Sequence, residues 1–192
     1  MITENDLYTM VSIISLCKER KILKEDEIHD VNLLENRILS CLDTNVKLIC
    51  AIIASKGDPY DKYKQLWLKL IKKLNNEDIE FIFLYNESDT IRVDGYNMYF
   101  TYHTENLVPG AYIKTMMFYE YILKHNYDFT HVLRCNLSSF FVFEKLINKL
   151  QKLPKSNLVY GDNSFNLFPT GCGSTFSKDV FKKIVENKHL IT

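Results

Sequence analysis

The chain has 192 residues, enough for one domain with a sizeable core and a small appendage. Apolar residues make up 46% and charged residues 25%, an ordinary composition for a globular protein. Lysine plus arginine equals aspartate plus glutamate at 24 each, so no global field draws the chain to nucleic acid or an anionic membrane, and local groups must hold any anionic ligand.

Five cysteines, at 17, 41, 50, 135 and 172, form no C-x-x-C pair, and their odd number reads as free thiols in a reducing compartment. The amino terminus is acidic, and the apolar run at 10–17 is short and broken by serines, unlike a secretory signal. No stretch reaches the ~20 apolar residues of a membrane span. The expectation is a soluble, cytoplasmic protein.

Residues 1–46 predict helices. Leu7, Met10, Val11, Ile14 and Cys17 follow a three-four spacing, and Ile28, Val31, Leu34, Ile38 and Leu42 make a second stripe. The charge-rich stretch 18–30 should hold the turn. This region is expected as a helical extension packed on a main domain, 47–192.

Residues 47–54 (KLICAIIA) read as a central strand buried on both faces. Ser55 and its neighbours follow, with Asp58 placed to cap and Pro59 to open the next helix. That helix carries Tyr63, Leu66, Trp67, Leu70, Ile71 and Leu74 on one face, so Trp67 belongs to the core. Neither G-x-G-x-x-G nor G-x-x-x-x-G-K-[ST] follows the strand, which leaves dinucleotide and P-loop sites without support.

Residues 80–85 (EFIFLY) predict a second buried strand, 86–96 a loop beginning at Asn86, and 97–102 a short strand. Residues 111–124 predict a helix apolar around most of its girth. Lys114 is its exception, either a lysine that snorkels to solvent or a phosphate contact. A strand over 129–134 runs into Arg134-Cys135-Asn136-Leu137-Ser138-Ser139-Phe140. That join at the carboxyl end of a strand is where open α/β sheets bind ligands, and it holds a cation, an amide and two hydroxyls. Ser138 or Ser139 could equally cap the helix that follows, with Phe143, Leu146, Ile147 and Leu150 on its apolar stripe.

A short strand is expected at 157–160, stopped by Gly161-Asp162-Asn163. In 165–176 (FNLFPTGCGSTF), Gly171 and Gly173 flank Cys172 and allow either a close backbone approach to a ligand or a tight turn. Ser177 is placed to cap a last helix carrying Val180, Phe181, Ile184 and Val185. Strands alternating with helices predict an α/β class with a mainly parallel sheet flanked by helices. His103 and His131 lack a metal-ligand partner at i+2 or i+4, so no metal site is assigned.

Four features in order resemble the GT-A fold glycosyltransferases, in particular the β-1,3-galactosyltransferase-like type. Asn106-Leu107 leading to Lys114-Thr115 is similar to that family's N-L-spacer-K-T segment, with a longer spacer. Residues 129–140 (FTHVLRCNLSSF) lie where the family runs a strand into its D-x-D motif. Tyr160-Gly161 resembles the Y-x-G strand end. Pro169-Thr170-Gly171-Cys172-Gly173 followed by Ser177-Lys178-Asp179 resembles the P-x-x-x-G-x-G…S-x-D segment.

The resemblance implies a single GT-A-like (nucleotide-diphospho-sugar transferase) domain that moves a sugar from a nucleotide-sugar donor to a glycan or protein acceptor hydroxyl. It implies a donor site from Ser55, Asn86, Lys114, Arg134, Asn136, Ser138, Gly171 and Gly173. It also implies a divalent cation, Mn²⁺ or Mg²⁺, on the D-x-D carboxylates. Here Asn136-Leu137-Ser138 stands in that place. Neutral amide and hydroxyl oxygens are poor sole ligands for such ions. Either Arg134 and Lys114 replace the ion, or the fold keeps binding without catalysis. The acceptor's proton needs a carboxylate, which the family carries beyond the S-x-D helix; within this chain the candidates are Asp162 and Asp179.

Overall fold

The computed structural model describes residues 2–40, 42, 45–101, 110–164 and 168–190, with the backbone alone at Ser40 and within 162–171. In chain order the elements are α1 (Glu4–Glu19), α2 (Glu25–Ser40), β1 (Leu48–Ile53), α3 (Tyr60–Leu74), β2 (Ile79–Tyr85), β3 (Arg92–Asp94), β4 (Asn97–Tyr99), α4 (Gly110–Lys124), β5 (His131–Asn136), α5 (Phe143–Leu150), β6 (Val159–Ser164), β7 (Phe168–Ser177) and α6 (Lys178–Glu186), then a single 3₁₀ turn, Lys188–Leu190. Two compact units result: Met1–Val46 with Val142–Lys155, and Lys47–Phe141 with Ser156–Thr192. No described helix is long and apolar enough to cross a membrane.

The first unit is helical. Thr3 and Asp6 form a capping box that fixes the start of α1: the Thr3 hydroxyl accepts from the Asp6 amide at 3.2 Å, and the Asp6 carboxylate accepts from the Thr3 amide at 2.8 Å. Tyr8 and Val11 of α1 pack with Ile38 of α2 and with Leu42. Of the two stripes expected from the spacing, Met10, Ile28 and Leu34 are exposed instead, and Tyr8 joins the core in their place. The polar tie is Glu35, which is only 4% exposed. Its carboxylate accepts from Lys18 of α1 and, at 2.7 Å, from Lys152 just past α5. Lys149 of α5 adds a bond to Glu19 at 3.0 Å. Burial works to raise the Glu35 carboxyl, but Lys152 and Lys18 together outweigh it and hold the group below its ordinary value. In this unit α5 belongs with α1 and α2.

The second unit is an α/β sandwich on a seven-stranded sheet of order β3-β4-β2-β1-β5-β7-β6. The four central strands β4-β2-β1-β5 are parallel. β3 pairs antiparallel with β4, β7 with β5, and β6 with β7. The sheet is therefore mixed, where the alternation alone pointed to a mainly parallel one. β1 sits between β2 and β5, and its residues 48–52 are buried on both faces, as its unbroken apolar run requires. Ile49, Ala51, Ile82, Leu84 and Val132 join Met116, Phe118, Tyr119 and Ile122 of α4 and Phe181 of α6 in one core cluster. Strand side chains alternate between faces, so the other face carries Phe81, which meets Trp67 of α3 with ring centroids 6.2 Å apart.

Three local expectations change. The strand placed over 129–134 begins and ends two residues later, so Arg134 and Asn136 are strand residues and the turn opens at Leu137. Pairing of Arg134 to β1 and β7, and of Asn136 to β1, decides this, because ladder bonds outweigh the low strand preference of polar side chains. The expected loop at 86–96 contains β3, and the glycine-bracketed stretch around Cys172 is part of β7. Asp58 pairs with Lys62 at 2.9 Å in place of capping α3. Ser177 stands at the N-cap of α6, but its hydroxyl bonds to Asp179 and not to a helix amide.

Candidate functional site

Strand register collects the sequence-picked residues at one edge of the second unit. Ile53 pairs with Leu84 on one side and Asn136 on the other, so β1, β2 and β5 end level with one another. The chain passes outward through Ala54-Ser55 from β1, Asn86 from β2 and Leu137-Ser138 from β5. Backbone bonds continue the ladder one step, from the Ala54 amide to Leu84 O at 3.0 Å and from the Leu137 amide to Ile53 O at 3.1 Å. After β1 the chain crosses to β2 on one side, and later returns to place β5 on the other. The carboxyl ends of β1 and β5 are thus a topological switch point, where a crevice opens in α/β sheets of this kind.

Lys114 of α4 reaches this edge from below. Its Nζ donates to Ala54 O at 2.8 Å, and the side chain is 1% exposed. The lysine neither snorkels nor reaches the surface to grip a ligand directly. It fixes the carbonyl at the end of β1 from behind the carboxyl edge of the sheet. Arg134 and Asn136 share the face that carries α4, because they alternate in step with Val132 of the core cluster. Both are half-buried. Burial lowers the Arg134 pKa, with the Tyr119 phenol beside it acting in the opposite sense. Burial also pushes the Tyr119 phenol well up, and the Arg134 charge moderates the rise. Asn86 is 1% exposed, Ser55 half-buried and Ser138 exposed. Above them Lys56, after β1, pairs with Glu87, after β2.

The two carboxylate candidates separate. Asp179 follows Ser177, which pairs with His131 at the amino end of β5, the opposite edge of the sheet from Asn136. Its carboxylate accepts from the Asn157 amide at 2.9 and 3.1 Å and from Ser177 Oγ at 2.6 Å. Burial works to raise the Asp179 carboxyl, but these bonds outweigh it and lower the group below its ordinary value. Asp179 is a structural acid, and the geometry removes it from the crevice. Asp162 lies on β6 just past Gly161, which pairs with Ser174 opposite Arg134. β6 runs parallel to β5 at one strand's remove, so the backbone of Asp162 heads toward the carboxyl edge. A register irregularity falls there, between Gly161 and Asn163. The Asp162 side chain lies outside the described residues, as do Asn106 and Leu107.

Gly171 and Gly173 lie on β7 beyond Ser174, again toward the carboxyl edge. Gly173 meets a side chain: a Cβ there would stand 2.5 Å from Phe141 Cζ and 2.7 Å from Cε1. Its missing side chain admits the Phe141 ring. Trp67 is the residue whose role the sequence did not give. Besides its place in the core, its indole N–H donates to Leu137 O at 2.9 Å, and Phe140 stacks on its ring at 5.4 Å with planes 23° apart. The adjacent phenylalanines just after a polar turn were the available signal.

Asn136 and Ser138 offer an amide and a hydroxyl, a donor set that does not fit a divalent ion, and the Leu137 carbonyl is taken by Trp67. Among the described residues no group of three or more His, Cys, Asp or Glu side chains gathers that could hold a metal. What the arrangement offers a ligand is a half-buried guanidinium and amide and hydroxyl groups, with the Lys114 amine buried behind them. Such a set suits an anion with several oxygens. Comparison with protein-family models, curated proteins and solved structures returns no match.

Proposed function

We propose that the protein is a GT-A-like glycosyltransferase that moves a sugar from a nucleotide-diphosphate donor to an acceptor hydroxyl. The observation that carries this reading is the switch-point edge between β1 and β5: the level ends of β1, β2 and β5 bring Ser55, Asn86, Arg134, Asn136 and Ser138 to one edge of the sheet, with Lys114 bonded to Ala54 O behind them. In the proposed reaction the acceptor oxygen attacks C1 of the donor sugar and gives its proton to the Asp162 carboxylate. The bond from C1 to the diphosphate oxygen breaks, and the diphosphate leaves with the electron pair. Arg134 and the buried Lys114 meet the charge that develops on it. Because the donor set at 136–138 does not fit a divalent ion, no step passes through one.

The test is thermal unfolding against nucleoside diphosphates and nucleotide sugars, each with Mn²⁺ and with chelator. A ligand at 100 times its Kd stabilises the native state by about 2.7 kcal/mol. The expected result is a rise in midpoint with one nucleotide sugar that survives chelator. In Arg134→Ala, affinity for that donor should fall by at least about tenfold, or about 1.4 kcal/mol. A rise that needs Mn²⁺ would overturn the metal-free arrangement, and equal affinity in Arg134→Ala would remove Arg134 from the site.

A second reading, a catalytically silent module that binds a glycan, a nucleotide or a protein, is favoured by one observation: Asp179 is held at the far edge of the sheet. The two readings part at Asp162→Asn. Loss of transfer with donor binding retained supports the enzyme; binding without turnover in the unaltered protein supports the module.

A further inference from the structure

We propose that Trp67 is the positioning residue of the turn 137–141, setting where Ser138 and the end of β5 meet a ligand and reporting occupancy of that edge. The first part stands on geometry alone; the ligand part rests on the proposed donor site.

The turn leaves β5 with little regular structure to hold it. Two backbone bonds are its own: the Leu137 amide to Ile53 O at 3.1 Å and the Ser139 amide to Asn136 O at 3.0 Å. Aromatic side chains add further restraints. The Trp67 indole N–H donates to Leu137 O at 2.9 Å, a buried bond. Phe140 lies stacked on the same indole at 5.4 Å. Phe141 approaches it at 6.5 Å, and its ring fills the space left by the missing side chain of Gly173. The turn is thus gripped at 137, 140 and 141, and Ser138 and Ser139 lie between the grips. Phe140 is 47% exposed, so burial alone does not explain its position; the indole does.

An indole also brings a built-in reporter. Trp67 is the single tryptophan of the chain. It bonds directly to the turn, so a ligand that shifts Leu137 or Phe140 alters the polarity and stacking that set its emission.

The experiment is residue-resolved hydrogen exchange on the full chain, for the unaltered protein and for Trp67→Phe, which keeps a ring in the core and deletes the donor. Exchange at the Leu137 and Ser139 amides should quicken by at least about tenfold, the equivalent of about 1.4 kcal/mol of local opening. The Cys50 and Ala51 amides of β1 should change far less. Equal acceleration in β1, or none in the turn, overturns the clamp. Phe140→Ala tests the same grip from an exposed ring should the Trp67 variant fold poorly. It should quicken Ser139 selectively, and unchanged protection there counts against the proposal.

The ligand arm uses uridine and guanosine diphosphates. Tryptophan emission of the unaltered protein should change on titration with the one that binds. Its Kd, measured by titration calorimetry in both proteins, should rise about tenfold or more in Trp67→Phe. Unchanged Kd in a variant whose turn exchanges faster overturns the positioning role. Absence of any nucleotide binding to the unaltered protein removes the glycosyltransferase reading instead, and the exchange comparison still decides the clamp.

Discussion

At the scale of single residues, the structure separates groups that the sequence presented as equals. Gly171 and Gly173 both read as places for close approach. At Gly173 the close partner is Phe141, whose ring carbons would lie 2.5 and 2.7 Å from a Cβ. Gly173→Ala forces that ring off its seat beside Trp67, and overpacking of this kind costs about 1–3 kcal/mol. Chemical denaturation should show a loss in this range; an unaltered midpoint would mean that Phe141 gives way freely. Asp162 and Asp179 likewise both read as acids of a site, because sequence carries no record of which sheet edge a residue reaches. The fixed position of Asp179 makes its own prediction. Its folded pKa is lowered, so its contribution is present above the unfolded carboxyl pKa and is lost as pH falls through the folded one. Asp179→Asn should cost about 0.5–1.5 kcal/mol near pH 7. The gap between variant and parent should close on acidification, which pH-dependent melting of both proteins will check. A gap that stays constant to low pH would place the loss in packing instead of charge.

Among the elements, the ones legible in sequence are those whose burial is uniform. β1 and β2 appear as apolar runs, and α3 shows its stripe, because one physical cause, contact with the core, acts on every position. The end of β5 was hidden, since Arg134 is held extended by β1 and β7 and Asn136 by β1, and not by their own preference. β7 was hidden for a similar reason: its glycines signal a turn locally, while the residues on either side of them pair with β5 or β6. In the helical unit the stripes of α1 and α2 were legible in part, through Val11, Ile38 and Leu42 but not Tyr8. The Glu35 tie was not, because Lys18, Glu35 and Lys152 are far apart in sequence. A buried carboxylate serving two lysines concentrates much of the unit's polar restraint in one side chain. Glu35→Gln keeps the volume and removes the charge, and it should weaken the unit by about 1–3 kcal/mol. Amides of α1, α2 and α5 should exchange faster while those of β1 and β2 hold. Since the folded Glu35 pKa is lowered, the restraint is present at neutral pH and lost as pH falls through that value. Faster exchange of the three helices in acid, absent in Glu35→Gln, is the expected pattern. Identical helix protection in the two proteins at neutral pH would show that apolar packing alone holds the unit.

For the whole molecule, the path of the chain matters more than the order of its motifs. Sequence suggested an extension, then a domain. The chain instead leaves the sheet after Phe141, contributes α5 to the helical unit, and returns at Ser156 to form β6 and β7. α5 has eight residues, too few for an isolated helix to persist in water. Its Lys149 and the following Lys152 bond to Glu19 and Glu35, both supplied by the first 46 residues. Removing residues 1–46 therefore leaves the segment 142–155 without its partners, directly after the turn that Trp67 holds. A chain beginning at Lys47 should show weak protection over 142–155. A chain that begins at Lys47 and also replaces 142–155 with a glycine-serine linker should retain the sheet, because closing a loop of similar length costs little extra entropy. Its β1, β2 and β5 amides should then exchange as in the intact protein, and Trp67 emission should match. If nucleotide binding survives in that shortened chain, the second unit alone carries the site. If the sheet loses protection instead, the helical unit takes part in holding it together. The sequence boundary at residue 46 would then mark a turn in the chain and not an independent domain.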